Sequence, residues 1–179
     1  MISEPLLHRM KILIIDDDRM TVSLLEQLLQ RHGYTRLMGI TNSREALETC
    51  AAFDPDLILL DLMMPEVDGF TILESLRSDA SERFLPIVIL TADITEDTKE
   101  RALEAGATDF LVKPVSQTEA LLRIRNLLET RRLNIVLRNQ RAALEEAVRE
   151  RTRELREKIS QLESVNRLQD SSALAALRR

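Results

Sequence analysis

A chain of 179 residues that is 44% apolar but only 3% aromatic, with no Trp, can bury one good-sized core built of aliphatic side chains. A single cysteine, Cys50, excludes an internal disulfide, and no apolar run approaches the ~20 residues that span a bilayer. The net charge of −5 divides unevenly: residues 1–119 carry 11 Lys+Arg against 22 Asp+Glu, while the remainder carries 14 against 8. Two physically different segments therefore join near residue 120. All four glycines and all five prolines lie in the first segment. With no apolar leader at the N-terminus, the expectation is a soluble, cytoplasmic protein.

Residues 1–9 read as a short, loosely held leader. Lys11 to Ile15 (KILII) is a buried-strand run that ends in Asp16, Asp17 and Asp18. Apolar residues from Met20 to Leu29 recur at helical spacing, and Gly33 is placed to end that helix. Tyr34 to Ile40 is a weaker strand. Asn42 or Ser43 caps a helix that runs through Cys50. Asp56 to Leu60 is the next strand and leads into Asp61, followed by a Met-Met-Pro break and the turn Asp68-Gly69. A helix covers about Val67 to Arg77. Pro86 to Leu90 (PIVIL) is a fourth buried strand, ending at Thr91. Thr95 or Asp97 starts a helix that Gly106 stops. Thr108 to Val112 is the fifth strand, ending at Lys113-Pro114. Ser116 caps the last helix, with Glu119 at capping-box spacing.

Five continuous Val/Ile/Leu runs alternating with helices predict an α/β fold with a doubly wound parallel sheet. In such a sheet the strands' carboxyl ends share one edge. That edge gathers Asp16, Asp17, Asp61, Thr91 and Lys113. Packed carboxylates repel unless a cation joins them, and hard oxygen ligands with room for water favour Mg²⁺. A carboxylate can also attack phosphorus, and the new phosphoryl oxygens then call for a metal, a cation and a hydroxyl. Asp61 as acceptor, Asp16 and Asp17 around Mg²⁺, Lys113 as counter-ion and Thr91 as donor fill those roles.

The pieces KILIIDDD, LILLDLMMPEVDGF, IVILTAD and FLVKPVS, in this order and spacing, resemble the receiver domain of two-component response regulators. The resemblance spans residues 10 to about 128 and implies a flavodoxin-like five-stranded sheet of order 2-1-3-4-5. It implies that Asp61 accepts a phosphoryl group from a sensor histidine kinase. Asp17 would bind Mg²⁺ directly, Asp16 mainly through water, and Met63 through its backbone carbonyl. Lys113 would pair with the phosphoryl group and precede a cis proline. Thr91 and Phe110 would form a switch pair, Phe110 standing where many relatives carry Tyr. No catalytic turnover of a substrate is implied. Asp-nucleophile phosphatases of the haloacid dehalogenase type carry a second aspartate two residues after the first, and here that position is Met63.

Blander readings fit the other candidates. Asp18 suits a helix N-terminus better than a metal, Cys50 is a small hydrophobe, and His8 and His32 have no partner spacing. Asp68-Gly69 is a loop feature rather than a ligand pair.

From Ser116 a helical pattern continues to at least Leu168. Its apolar positions recur every eleven residues as Leu133/Leu137, Leu144/Val148 and Leu155/Ile159. Leu155, Leu162 and Gln169 then fit a heptad, while one left-handed register throughout would put Arg141 and Arg151 in the seam. The domains expected are a leader (1–9), a receiver (10–128) and a helical coiled-coil connector (129–179). The connector is expected to form a homodimer through a parallel two-stranded coiled coil with a register shift, antiparallel pairing or a heterologous helix being the alternatives. The positive tail lacks zinc ligands, a helix-turn-helix break and stacking aromatics, so nucleic acid is not expected as a partner, and neither is a membrane. The stretch EEAVRERTRELREKISQLE resembles connectors that lead from receivers to kinase, cyclic-dinucleotide or phosphatase modules. The alternative is therefore the regulatory part of a larger enzyme.

Overall fold

The structure is a computed structural model that describes residues 4–78, 84–92 and 95–176, with side chains described between residues 6 and 163. Helix α1 (Glu4–Leu7) leads into strand β1 (Lys11–Ile15) and helix α2 (Arg19–Arg31). Strand β2 (Arg36–Ile40), a short 3₁₀ turn (Ser43–Glu45), α3 (Ala46–Phe53) and β3 (Leu57–Asp61) follow. The chain continues as α4 (Gly69–Ser78), β4 (Ile87–Thr91), α5 (Glu96–Glu104), β5 (Asp109–Val112) and α6 (Gln117–Ala176).

All four strand pairings are parallel, and the sheet order is β2-β1-β3-β4-β5. This is the architecture expected from the alternation of apolar runs and helices. Every residue of β3 and β4 is buried, which is why those strands show no apolar–polar alternation. Alternate side chains serve opposite layers. Leu13, Ile15, Ile58, Leu60, Ile87 and Ile89 join Ala46 and Cys50 of α3, Phe70, Ile72 and Leu73 of α4, and Ala102 of α5 in one core. Ile12, Ile14, Leu57, Leu59, Val88 and Leu90 are buried on the other face. There α2 supplies Val22, Leu25, Leu28 and Leu29, and the first turns of α6 supply Ala120, Ile124 and Leu128. Each fully buried Leu or Ile contributes roughly 1.5–3 kcal/mol of transfer free energy.

Several boundaries differ from the sequence expectation for identifiable reasons. The segment before β1 is packed rather than loose: Leu7 is buried, and the His8 ring lies edge-on to Tyr34 at 5.2 Å. Tyr34 lies in the connection between α2 and β2 rather than in the strand, because its N–H turns back to donate to the Leu29 carbonyl of α2. Asn42 caps the 3₁₀ turn by accepting from the Arg44 N–H, which frees Ser43 for a different role. Helix α4 starts at Gly69, two residues late, because residues 62–68 form the loop that shapes the site. Glu119 accepts from Arg123 four residues on.

The chain divides into two compact units, Met1–Asn134 and Ile135–Arg179. Arg131, near the end of the first, is buried, donates to the Phe84 carbonyl at 2.8 Å and lies 3.5 Å from the Asp56 carboxylate. The second unit is the continuation of α6, whose backbone stays helical through Ser171 and Ser172. The side chain of Gln169 lies outside the described residues. Among the described residues no helix is long and apolar enough to cross a membrane.

Gly69 shows how tightly the loop after β3 is drawn. A Cβ there would press into the Asp61 carbonyl oxygen and the Leu62 Cα. The Gly69 N–H also donates to the Leu62 carbonyl at 3.1 Å. Gly69→Ala is expected to cost about 1–3 kcal/mol, because the obstacle is backbone that cannot rotate away. Chemical denaturation checks it, and an unchanged unfolding midpoint would show that the loop yields freely.

Candidate functional site

The residues singled out at the strand ends meet at the carboxyl edge of the sheet. Asp16 follows β1, Asp61 closes β3, Thr91 closes β4 and Lys113 follows β5. Asp16, Asp61 and Thr91 are all buried, which for the two carboxylates is unusual and requires compensation. Lys113 supplies it. Its Nζ lies 2.8 Å from Asp16 Oδ2 and 3.0 Å from Asp61 Oδ2. One ammonium thus bridges the two buried carboxylates.

Local backbone chemistry fixes each group. The Asp18 N–H donates to Asp16 Oδ1 at 3.0 Å, and the Met63 N–H donates to Asp61 Oδ1 at 3.3 Å. The Lys113 N–H donates to the Thr91 carbonyl at 2.8 Å, tying the ends of β4 and β5 together. The Lys113-Pro114 peptide is cis, as the resemblance implied. Asp18 takes the bland role. It caps α2 by accepting from the Met20 and Thr21 N–H groups and from the Thr21 hydroxyl. The Thr21 hydroxyl bond, then the Met20 N–H, hold its carboxyl below the usual range.

Electrostatics at the centre are unbalanced. Burial pushes the Asp16 carboxyl above its ordinary 3.8, and this outweighs the lowering by the Lys113 ammonium and the Asp18 N–H. Burial alone would lower the Lys113 pKa, but its contacts with the Asp16 and Asp61 carboxylates reverse that and raise it. The two directions agree physically. Lys113, partly reached by solvent, has two anionic neighbours and stays protonated, while fully buried Asp16 shares a single cation with Asp61.

A second cation would restore the balance, and the donor set fits a hard one. One carboxylate oxygen from each of Asp16, Asp17 and Asp61 lies within 4.8 Å of the others. Asp16 Oδ2 is buried and makes no aligned hydrogen bond, so its contact with Lys113 is ionic and leaves lone-pair capacity. Asp17 is exposed, which leaves one side of the cluster open to water and ligand. These are the properties of a Mg²⁺ site rather than of an all-protein cage. The Met63 side chain is 75% exposed, so its identity is free to vary.

Phe110 is half-buried against the α4–α5 core. Lys99 Nζ lies 5.4 Å from its ring centroid and the Arg123 guanidinium 5.9 Å. Arg123 also contacts the Asp109 carboxylate at 2.6 Å and Glu119 at 2.8 Å. His8, His32 and Cys50 take no part in the site. Sequence reasoning missed Ser43, a buried hydroxyl that accepts from the Val67 N–H at 2.9 Å and pins the loop after Asp61.

A model of the response regulator receiver domain matches residues 12–125. The chain belongs to this family. Response regulator PleD of Caulobacter vibrioides is 38% identical over 136 residues, covering 74% of this chain and 29% of that protein. Response regulator MprA of Mycolicibacterium vanbaalenii is 40% identical over 118 residues, covering 66% of this chain and 50% of that protein. The chain therefore spans half or less of these two relatives. Chemotaxis protein CheY4 of Vibrio cholerae superposes with a TM-score of 0.62 at 28% identity, covering 66% of this chain and 98% of that one. A structure described as a two-component response regulator/GGDEF domain protein superposes at 0.65 and 29% identity, covering 71% and 52%. Receivers of this family take phosphate from histidine kinases and are phosphoacceptors with an acidic Mg²⁺ pocket. The Asp16, Asp17 and Asp61 cluster stands where that pocket belongs.

Proposed function

We propose that this chain is a phosphorylation-controlled receiver in which Asp61 accepts a phosphoryl group from the phosphohistidine of a sensor kinase. The observation that carries the reading is the Lys113 ammonium held between Asp16 and Asp61 at the open edge of a parallel sheet. An Asp61 carboxylate oxygen bonds to phosphorus as the bond from phosphorus to the donor nitrogen breaks, and that electron pair leaves on the imidazole. Little covalent chemistry falls to the protein, so positioning and charge do the work. Lys113 turns from Asp61 toward the new phosphoryl oxygens. The Thr91 hydroxyl donates to them, and Phe110 follows it inward. Asp17 would hold Mg²⁺, with Asp16, Asp61 and the Met63 carbonyl as the other groups available to it. Bound Mg²⁺ supplies positive charge that the phosphoryl oxygens require. The receiver turns over no substrate of its own beyond slow loss of the phosphoryl group.

The signal leaves along α6. Leu133, Leu137, Leu144, Val148, Leu155 and Ile159 are 48–66% exposed on one stripe of that helix. A long helix with such a stripe gains stability only by covering it, which supports a homodimer. A further reading makes the chain the regulatory part of a longer protein with an output domain. It draws on the response regulator/GGDEF neighbour, of which this chain covers 52%.

The decisive experiment adds a small acyl phosphate and Mg²⁺ to the native chain and follows intact mass. An acid-labile adduct of one phosphoryl mass is expected. Its absence at every Mg²⁺ concentration would overturn the reading.

A further inference from the structure

The connection between β2 and α3 adds no carboxylate to the acidic cluster, yet it is tied to both segments that carry it. At its start the Ile40 carbonyl accepts from the Asp16 N–H at 3.2 Å. Three residues on, the buried Ser43 hydroxyl accepts from the Val67 N–H at 2.9 Å. Beside it, Arg44 meets Glu66 at 3.0 Å. Residues 40–44 therefore reach from the acids after β1 to the loop that follows Asp61.

This span is stiff. The Asn42 side chain accepts from the Arg44 N–H at 3.1 Å and donates to Glu45 at 2.7 Å. The Glu45 N–H closes the turn on the Asn42 carbonyl at 3.1 Å. The loop it reaches is closed at its neck, where the Gly69 N–H donates to the Leu62 carbonyl. Of the two ties to that loop, the Arg44–Glu66 pair lies at the surface and contributes little. The Ser43 bond is the stronger one. Val67 packs against the core, so its N–H would lose a partner where water is scarce.

We propose that Ser43 is a positioning residue for the metal: it sets the loop after Asp61 against Asp16 and Asp17, and so favours Mg²⁺ over Ca²⁺. This rests on the Mg²⁺-dependent acceptor reading above and adds what selects the ion. Pairing of β1 with β3 places Ile15 beside Leu60 and thereby fixes where Asp16 and Asp61 start. It does not fix the loop beyond Asp61, which carries the Met63 carbonyl; the bond from Ser43 does. Mg²⁺ demands a nearly octahedral set of oxygens at about 2.0–2.1 Å, whereas Ca²⁺ accepts looser sets at about 2.3–2.6 Å. A loop freed from Ser43 can still adapt to Ca²⁺. It no longer holds its oxygens to the tighter demand of Mg²⁺.

The test is calorimetric titration of the full chain with MgCl₂ and, separately, with CaCl₂, without any phosphoryl donor. The native chain is expected to bind Mg²⁺; failure to bind either ion would overturn the acceptor reading itself. Ser43→Ala is expected to weaken Mg²⁺ by about tenfold and Ca²⁺ by less than about threefold. The ratio of the two constants is the deciding readout, because general loosening of the fold would weaken both ions alike. Asn42 is exposed, so Asn42→Ala relaxes the turn while leaving the Ser43 hydroxyl in place. It is expected to move the ratio in the same direction by about threefold, and it decides the matter if Ser43→Ala does not fold. Equal weakening of the two ions, or native constants in the folded variants, would overturn the role of Ser43 while leaving the acceptor reading intact.

Discussion

A chain with Asp61 replaced by Asn gains no phosphoryl mass under conditions that load the native protein. The loss is on the order of a thousandfold or more in rate, as expected when the nucleophile itself is removed. Asn keeps the size of the aspartate and can still accept the Met63 N–H that holds Asp61 Oδ1 at 3.3 Å. The fold should therefore survive, and the sheet's far-ultraviolet signature with it. Lys113 retains Asp16 at 2.8 Å, so its ammonium is not orphaned. What disappears is the carboxylate whose oxygen forms the acyl phosphate bond. Intact mass after incubation with an acyl phosphate and Mg²⁺ checks this, alongside Asp18→Asn. Asp18 caps α2 and faces no phosphoryl position, so that variant should load normally apart from a weaker helix start. Uptake by the Asp61→Asn variant at the native rate would move the acceptor to another residue.

Much of this site was legible because the residues that carry it sit at fixed places in simple patterns. β1, β3 and β4 are covered on both faces, so their sequences are unbroken apolar runs, and the chemistry begins where each run ends. Asp16, Asp61, Thr91 and Lys113 were found that way, although they are spread over nearly a hundred residues. β2 was harder to place. It is an edge strand whose side chains are mostly half-covered or exposed, and Tyr34 beside it packs on His8 instead of continuing the strand. The groups that escaped notice act through contacts that spacing does not encode. Ser43 reaches the Val67 N–H across 24 positions, and Arg131 reaches the Phe84 carbonyl across 47. Gly69 read only as a turn residue. Its actual requirement is the backbone of Asp61 and Leu62 lying where a side chain would be. Burial of Asp16 is likewise a property of the folded sheet, since three successive acids after a strand are as often a solvated turn.

That burial leads to an opposite pair of stability effects for Asp16→Asn. Without metal, the Asp16 carboxyl is pushed above 3.8 by burial, so the folded chain holds this proton to higher pH than the unfolded chain does. As pH rises past the unfolded value, the unfolded chain ionises first, and stability falls until the folded carboxyl has ionised too. At neutral pH the full cost is present. Asn carries no charge and escapes it, while Lys113 keeps Asp61 at 3.0 Å. Metal-free Asp16→Asn is therefore expected to be more stable than the native chain at pH 7, by about 1–3 kcal/mol. The two should converge at about pH 2.5, well below the ordinary 3.8, where Asp16 is protonated in both states. Saturating Mg²⁺ inverts the order, because the cation stabilises the native cluster by mass action and has lost one of its three carboxylates in the variant. Thermal unfolding at the two pH values, with chelator and with excess Mg²⁺, reads all of these effects. A variant less stable than the native chain at pH 7 in chelator would mean that Lys113 more than repays the burial of Asp16. A Mg²⁺-induced shift equal in the two chains would remove Asp16 from the metal's surroundings.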